Sequence, residues 1–180
     1  ANRNGFFYVL DRTTGRFLLG QPFVKVNWAS GIDAQGVPIQ TPQPVGQPTW
    51  PGNQGGTNWY SPSYSPRTKL FYIPAWEDYA TIFGKIPTEY HEGLGFGGGD
   101  PHDVAPLAGA PGLSHAGHMD PINNWTTAAG YSAILAIDPA TGRQAWRYKL
   151  GDITKSGILT TGSDLLFTGG RDGNFQAIDA

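Results

Sequence analysis

The stretch Gly130 to Ala180 limits the possible folds more than any other. Short apolar runs at Ala133 to Ile137, Leu165 to Thr168 and Phe175 to Ile178 are cut by Asp138-Pro-Ala-Thr-Gly142 and Gly169-Gly-Arg-Asp-Gly173. Strand signals thus alternate with turn signals, which predicts a small antiparallel sheet. Within it, Ala136-x-Asp138-x-x-Thr141-Gly142-x-x-x-Trp146 sets a small residue, a turn-capping Asp, a Thr-Gly turn and a Trp at fixed offsets. Phe6 to Leu10 followed by Asp11-x-x-Thr14-Gly15 and Arg16-Phe-Leu-Leu19 is an earlier copy, with Leu19 where Trp146 stands in the later one. Ala177-x-Asp179 opens the pattern once more.

Composition agrees with a sheet protein and excludes several functions. Charged residues make up 14% of the chain against 26 Gly and 15 Pro, which suits a turn-rich all-β protein better than a helical one. A net charge of −2 leaves no basic footprint for nucleic acid. No apolar run reaches the roughly 18 residues of a membrane-spanning helix. With no cysteine, thiol catalysis and disulfides are excluded within these residues, and the redox compartment stays open.

The run Ala136 to Trp146 resembles the tryptophan-docking motif of the pyrroloquinoline quinone (PQQ)-dependent alcohol dehydrogenases, eight-bladed β-propellers of the bacterial periplasm. In that family the Trp lies flat between blades, where a broad ring supplies packing. Further segments resemble the family in the same order: Arg3-Asn4-Gly5-x-x-Tyr8-x-Leu10-Asp11-Arg12, Pro22 to Ile39, Gly55 to Trp59 and Pro121 to Thr126. The resemblance implies an all-β fold in which residues 1–180 form part of a propeller. At roughly 40–50 residues per blade this is about three to four blades, with an irregular insertion at about 77–129. Open sheet edges would then be covered by the remainder of the propeller or by a partner chain. It further implies oxidation of an alcohol to the aldehyde or ketone with PQQ, a Ca²⁺ or lanthanide ion as Lewis acid, and a cytochrome c or similar electron acceptor. The general base and metal ligands of the family belong to segments outside this chain, so no catalytic or metal residue is assigned here.

Four residues are candidates for the cofactor. Arg3 occupies the place of a family Arg or Lys that reaches the quinone oxygens, where a cation favours developing negative charge; without the family it reads as a solvated turn residue. Asn58, in Gly55-Gly56-Thr57-Asn58-Trp59, stands where a family Asn bonds PQQ in its plane, and Trp59 follows at a position that also lines the site. The two glycines permit close approach of backbone to a partner, although the same residues make an ordinary loop. Lys155-Ser156-Gly157 replaces an aromatic-Gly-Gly phrase of the family, so Lys155 is a cofactor or substrate contact or an exposed turn lysine. His115-x-x-His118-x-Asp120, with His91 and His102 upstream, has spacing compatible with a metal, but Gly117 and nearby prolines argue against the helix that would hold two ligands on one face. Trp28 and Trp50 read as packing residues, and Val24 to Trp28 as a strand. A propeller that keeps the blade motif without the quinone, acting as a scaffold or binding module, is the alternative reading; an aromatic-rich carbohydrate-binding surface is a further one.

Overall fold

The computed structural model describes residues 1–44, 47–82, 90–93, 113–115, 130–150 and 154–180, and every regular element among them is a strand. In chain order these are β1 (Phe6–Leu10), β2 (Phe17–Pro22), β3 (Ala29–Ile32), β4 (Pro38–Gln40), β5 (Pro48–Thr49), β6 (Ser63–Ser65) and β7 (Leu70–Glu77). Then come β8 (Ala80–Ile82), β9 (Leu113–His115), β10 (Tyr131–Ile137), β11 (Gln144–Lys149), β12 (Leu159–Thr160), β13 (Leu165–Gly169) and β14 (Phe175–Asp179). One four-stranded antiparallel sheet, in the order β11-β10-β7-β6, stands between a β1-β2 hairpin and a β12-β13-β14 meander.

Strand β10 explains why the sheets stack. Its side chains alternate between two cores. Ala133, Leu135 and Ile137 meet Phe7, Phe23, Val24, Ile73 and Ala75 on the β1-β2 side. Ile134 and Ala136 meet Tyr72, Leu150, Ile158 and Leu166 on the other. A strand buried on both faces must be apolar throughout, so the continuous run Ala133 to Ile137 is the sequence imprint of a central strand packed between neighbouring sheets.

The two copies of the repeat share their geometry. Ladder register slips between Ala136 and Ile137 in the later copy and between Val9 and Leu10 in the earlier one. Ala136 pairs with Trp146 and Val9 with Leu19, so Leu19 holds the position of the tryptophan. In the later turn, the Thr141 hydroxyl and the Ala140 N–H donate to the Asp138 carboxylate at 2.8 and 2.9 Å. In the earlier one, the N–H groups of Thr13 and Thr14 donate to Asp11 at 2.9 and 3.0 Å. These bonds hold both carboxyls below their usual range. Their stabilising effect is therefore present above the unfolded-state pKa and is lost as pH falls through the lowered folded value. Gly15 and Gly142 close the turns at φ of 73° and 71°. The outer-strand side chain of the first unit reaches the turn of the next, because Leu19 Cδ2 lies 3.0 Å from where a Cβ on Gly142 would sit.

Two expectations are corrected. Val24 to Trp28 is not a strand. Phe23 and Val24 enter the same core in succession, which strand alternation does not allow. Asn27 instead ties the segment to Pro48 and Trp50: its Nδ2 donates to Pro48 O at 2.9 Å, and its Oδ1 accepts from Trp50 N at 2.8 Å. The insertion at about 77–129 also opens in regular structure, since β7 continues to Glu77, and β8 pairs antiparallel with β5 and parallel with β9. Of the rest, Phe96 to Asp100, His102, His118, Asp120 and Pro121 to Thr126 lie outside the described residues. Among the described residues no helix is long and apolar enough to cross a membrane.

Candidate functional site

Strands β6 and β12 open their sheets, and β1 is the counterpart of β10, the third strand of its sheet. First and third strands of an antiparallel meander run in the same direction, so the loops that lead into them emerge on the same side. Residues 2–5 lead into β1, residues 50–62 into β6 and residues 154–158 into β12. They carry Arg3, Asn58 with Trp59, and Lys155 respectively. The topology thus gathers all four cofactor candidates at one end of the stacked sheets.

Short hydrogen bonds hold these loops together. Gly56 N donates to Arg3 O at 3.0 Å, and Trp76 N donates to Gly56 O at 2.8 Å. The Thr57 hydroxyl donates to Pro74 O at 2.8 Å. Past Tyr72, where pairing with β6 ends, residues 56 and 57 therefore take over that edge of β7. Pro74 is tolerated in a central strand because its missing N–H falls on this side, where a side-chain donor meets its carbonyl. On the other flank, Trp76 Nε1 donates to Thr154 O at 2.7 Å and Ile158 N donates to Ser61 O at 2.9 Å.

The glycine pair serves the approach expected of it, and what it approaches is protein. Gly55 has φ of 83°, and a Cβ there would sit 2.6 Å from Arg3 O; one on Gly56 would sit 2.4 Å from Val24 Cγ2. Under the loop lies a cluster of Tyr60, Trp76 and Tyr79. Trp59 is 80% exposed above it, with its ring centroid 4.9 Å from that of Tyr60.

The four candidates differ in how they are held. Arg3 is exposed, and its Nη2 donates to Asn53 O. Burial pushes the Tyr60 hydroxyl pKa up, and the Arg3 charge opposes the rise. Half-buried Asn58 is bonded within its own loop, where Nδ2 donates to Gln54 O at 3.0 Å and Oδ1 accepts from Trp59 N at 2.9 Å. One N–H and one lone pair of its amide are left over for a ligand. Lys155 is exposed next to the fully buried Thr154. Thr154 N donates to Ser132 Oγ at 3.0 Å and Thr154 Oγ1 donates to Gly169 O at 2.7 Å, so the backbone beneath Lys155 is pinned from two sheets.

Sequence reasoning does not single out Tyr60, Trp76 or Thr154; a Trp within an apolar strand and a Thr before a lysine carry no motif. The two tryptophans read as packing do pack: Trp28 meets Phe6 edge-on at 6.0 Å and donates to Asn4 O, and the Lys25 ammonium lies 3.7 Å over the Trp50 ring. Among the described residues no three His, Cys, Asp or Glu side chains group as metal ligands.

The family model for the PQQ glucose/ethanol/alcohol dehydrogenase β-propeller domain matches residues 30–179. The chain belongs to this family. It is part of a quinoprotein dehydrogenase propeller, 35% identical to the quinoprotein alcohol dehydrogenase PedH of Pseudomonas putida over all of this chain and 29% of that protein. It is 32% identical to the 1-butanol dehydrogenase (cytochrome c) of Thauera butanivorans, covering all of this chain and 25% of that one. A europium-containing methanol dehydrogenase superposes with a TM-score of 0.71 at 29% identity, over 98% of this chain and 29% of its own. The quinohemoprotein alcohol dehydrogenase of Comamonas testosteroni does so with a TM-score of 0.67 at 31% identity, over 99% and 26%. The chain therefore spans between about a quarter and three-tenths of the length of these relatives.

The loops of this quinoprotein propeller fit a flat, anionic quinone by the chemistry of their donors. Two side-chain cations, an amide with spare hydrogen-bonding capacity and an exposed indole ring lie at one end of the sheets, and no carboxylate stands among the four.

Proposed function

We propose that the intact protein oxidises an alcohol to the aldehyde or ketone with PQQ, and that this chain supplies one sector of the cofactor site. The observation that carries the reading is the convergence of three loops from successive sheets, joined through Gly56 and Trp76, which gathers Arg3, Asn58, Trp59 and Lys155. When bound, PQQ supplies an electrophilic quinone carbon that takes up hydride from the alcohol, with a Ca²⁺ or lanthanide ion as Lewis acid at the quinone oxygen. Arg3 keeps N–H groups beyond the one bound to Asn53 O and holds positive charge where quinone oxygens gain negative charge. Asn58 offers its remaining N–H and lone pair in the plane of the ring. Trp59 offers an apolar face for stacking, and Lys155 a point charge for a carboxylate. The general base and metal ligands come from elsewhere in the protein. The name of the Thauera relative points to a cytochrome c as acceptor. A periplasmic location goes with that, and we extend the docking role to Trp146, whose ring lies 5.6 Å from that of Tyr72 beside Ile178 and Ala180.

One observation favours the scaffold reading: Arg3 already bonds the backbone of the neighbouring loop at Asn53, and Asn58 that of its own loop at Gln54. Titration of the metal-loaded intact apoprotein with PQQ separates the two. Asn58→Ala and Arg3→Ala are each expected to raise the PQQ Kd on the order of tenfold, the value of one well-made hydrogen bond to a charged ligand. Wild-type affinity in both variants, or no binding by the wild type, would leave the scaffold.

A further inference from the structure

On the reading of this end of the sheets as a PQQ site, we propose that Trp76 is its positioning residue, fixing the Asn58 loop and the Lys155 segment relative to each other without touching the cofactor. Three contacts carry this. The backbone N–H of Trp76 holds Gly56, two residues before Asn58, at 2.8 Å. Its indole N–H holds the carbonyl of Thr154, the residue before Lys155, at 2.7 Å across a sequence separation of 78 residues. Its ring lies 5.6 Å from that of Tyr60, on which Trp59 rests in turn. Trp76 is only 2% exposed. It is therefore out of reach of a ligand, yet every candidate lies within two residues of a group it touches or of that group's bonded partner, Arg3 being joined through Gly56.

The two indole-linked segments belong to different sheets, and the Trp76–Thr154 bond is a polar tie across that boundary. A buried N–H has few alternative acceptors, so this bond sets a distance where apolar packing alone would tolerate sliding. Thr154 is anchored to Ser132 of β10, on the Trp76 side of the boundary, and to Gly169 of β13, on its own, so the tie transmits position instead of being absorbed by a loose loop.

The test uses the metal-loaded intact protein and reads PQQ affinity by titration beside the thermal midpoint. Trp76→Phe keeps a ring and deletes the indole N–H. It is expected to raise the PQQ Kd on the order of tenfold, since an error of about an ångström in placement is costly to a multidentate site. Thr154→Val removes the hydroxyl bonds to Gly169 O and from Ser156 N without altering Trp76, and is expected to raise Kd in the same direction. Trp146→Phe, which trims an indole on the outer strand, is the control for general loosening, with a lower midpoint and a Kd within about twofold of wild type. In a double-mutant cycle, Trp76→Phe and Lys155→Ala are expected to be non-additive in Kd, because the first acts through the placement of the second. A Trp76→Phe protein that loses midpoint like Trp146→Phe but binds PQQ normally would overturn the proposal. If Trp76→Phe does not fold, Thr154→Val with unchanged Kd would overturn it equally. Failure of the site reading itself looks different, because Asn58→Ala would then also bind PQQ as the wild type does.

Discussion

Gly55→Ala is expected to destabilise the intact protein by about 2–6 kcal/mol and to weaken PQQ binding together with it. Two independent costs add. At φ of 83° a Cβ strains the backbone, worth about 1–3 kcal/mol. That Cβ would also sit 2.6 Å from the carbonyl oxygen and 2.9 Å from the Cα of Arg3, and these are backbone atoms that no rotamer change can clear. Overlap of this kind costs about 1–3 kcal/mol more. Relief must come from moving residues 2–4 away from the loop, which stretches the bond from Gly56 N to Arg3 O and carries the Arg3 guanidinium with it. Equilibrium urea unfolding is expected to give a lower midpoint with an unchanged slope. Gly15→Ala is the comparison: φ is 73° but nothing lies within 4 Å of the added Cβ, so only the conformational cost applies and PQQ affinity stays at the wild-type value. Equal losses in the two variants would mean that the contact between Gly55 and Arg3 has no energetic weight.

The same glycine marks where sequence reading succeeds and where it stops. Gly55-Gly56 is legible as a place of close approach, because only a residue without a Cβ permits one. That the partner is the Arg3 backbone and not a ligand is not legible, since it depends on a contact between positions about fifty residues apart. The strands are readable for a local reason: β10 is buried on both faces and so is apolar without interruption, and its turn repeats the Asp-x-x-Thr-Gly spacing of residues 11–15. Val24 to Trp28 misleads because its apolar residues satisfy one core in succession while Asn27 substitutes side-chain bonds for a ladder. Composition alone cannot separate these cases.

For the site, Arg3, Asn58, Trp59 and Lys155 are candidates through family resemblance, and the topology then supplies what a single sequence cannot, a common side for the loops that bear them. Trp76 and Thr154 stay hidden because their importance is relational. An indole donating to a carbonyl across two sheets leaves no pattern in either segment.

Arg147→Met is expected to cost about 2–3 kcal/mol at neutral pH, and the loss is expected to shrink as the solution is acidified. Glu77 closes β7 with its side chain 8% exposed, and Arg147 Nη2 lies 3.0 Å from its Oε1. Oε1 has no aligned hydrogen bond, so the pairing is Coulombic in the main. Burial raises the Glu77 pKa above the usual glutamate range; Arg147 opposes the rise and Asp78 adds to it. Lys25 lines the same cavity of about 250 Å³, but it pairs with Asp78 at 3.7 Å, while the Tyr131 hydroxyl accepts from Arg147 at 2.8 Å. Removing one partner of a fully buried ion pair costs about 3–5 kcal/mol. The guanidinium side chain here is 36% exposed, so solvent screening lowers the figure. The pH dependence follows from the sign of the shift. A carboxyl whose folded pKa is raised binds its proton more tightly in the folded state, so its relative stabilisation is present below the unfolded pKa and is lost as pH rises through the folded one. Methionine removes the opposing charge and raises the folded pKa further, so the variant falls behind the wild type at neutral pH and approaches it once Glu77 is protonated in both. Denaturant melts across the acid to neutral range check this directly. Glu77→Gln combined with Arg147→Met is expected to recover most of the loss and to abolish its pH dependence, because no buried charge is left to orphan. A deficit of Arg147→Met that is constant with pH, or that the second substitution does not relieve, would assign the residue to packing of its aliphatic stem and not to the charge of Glu77.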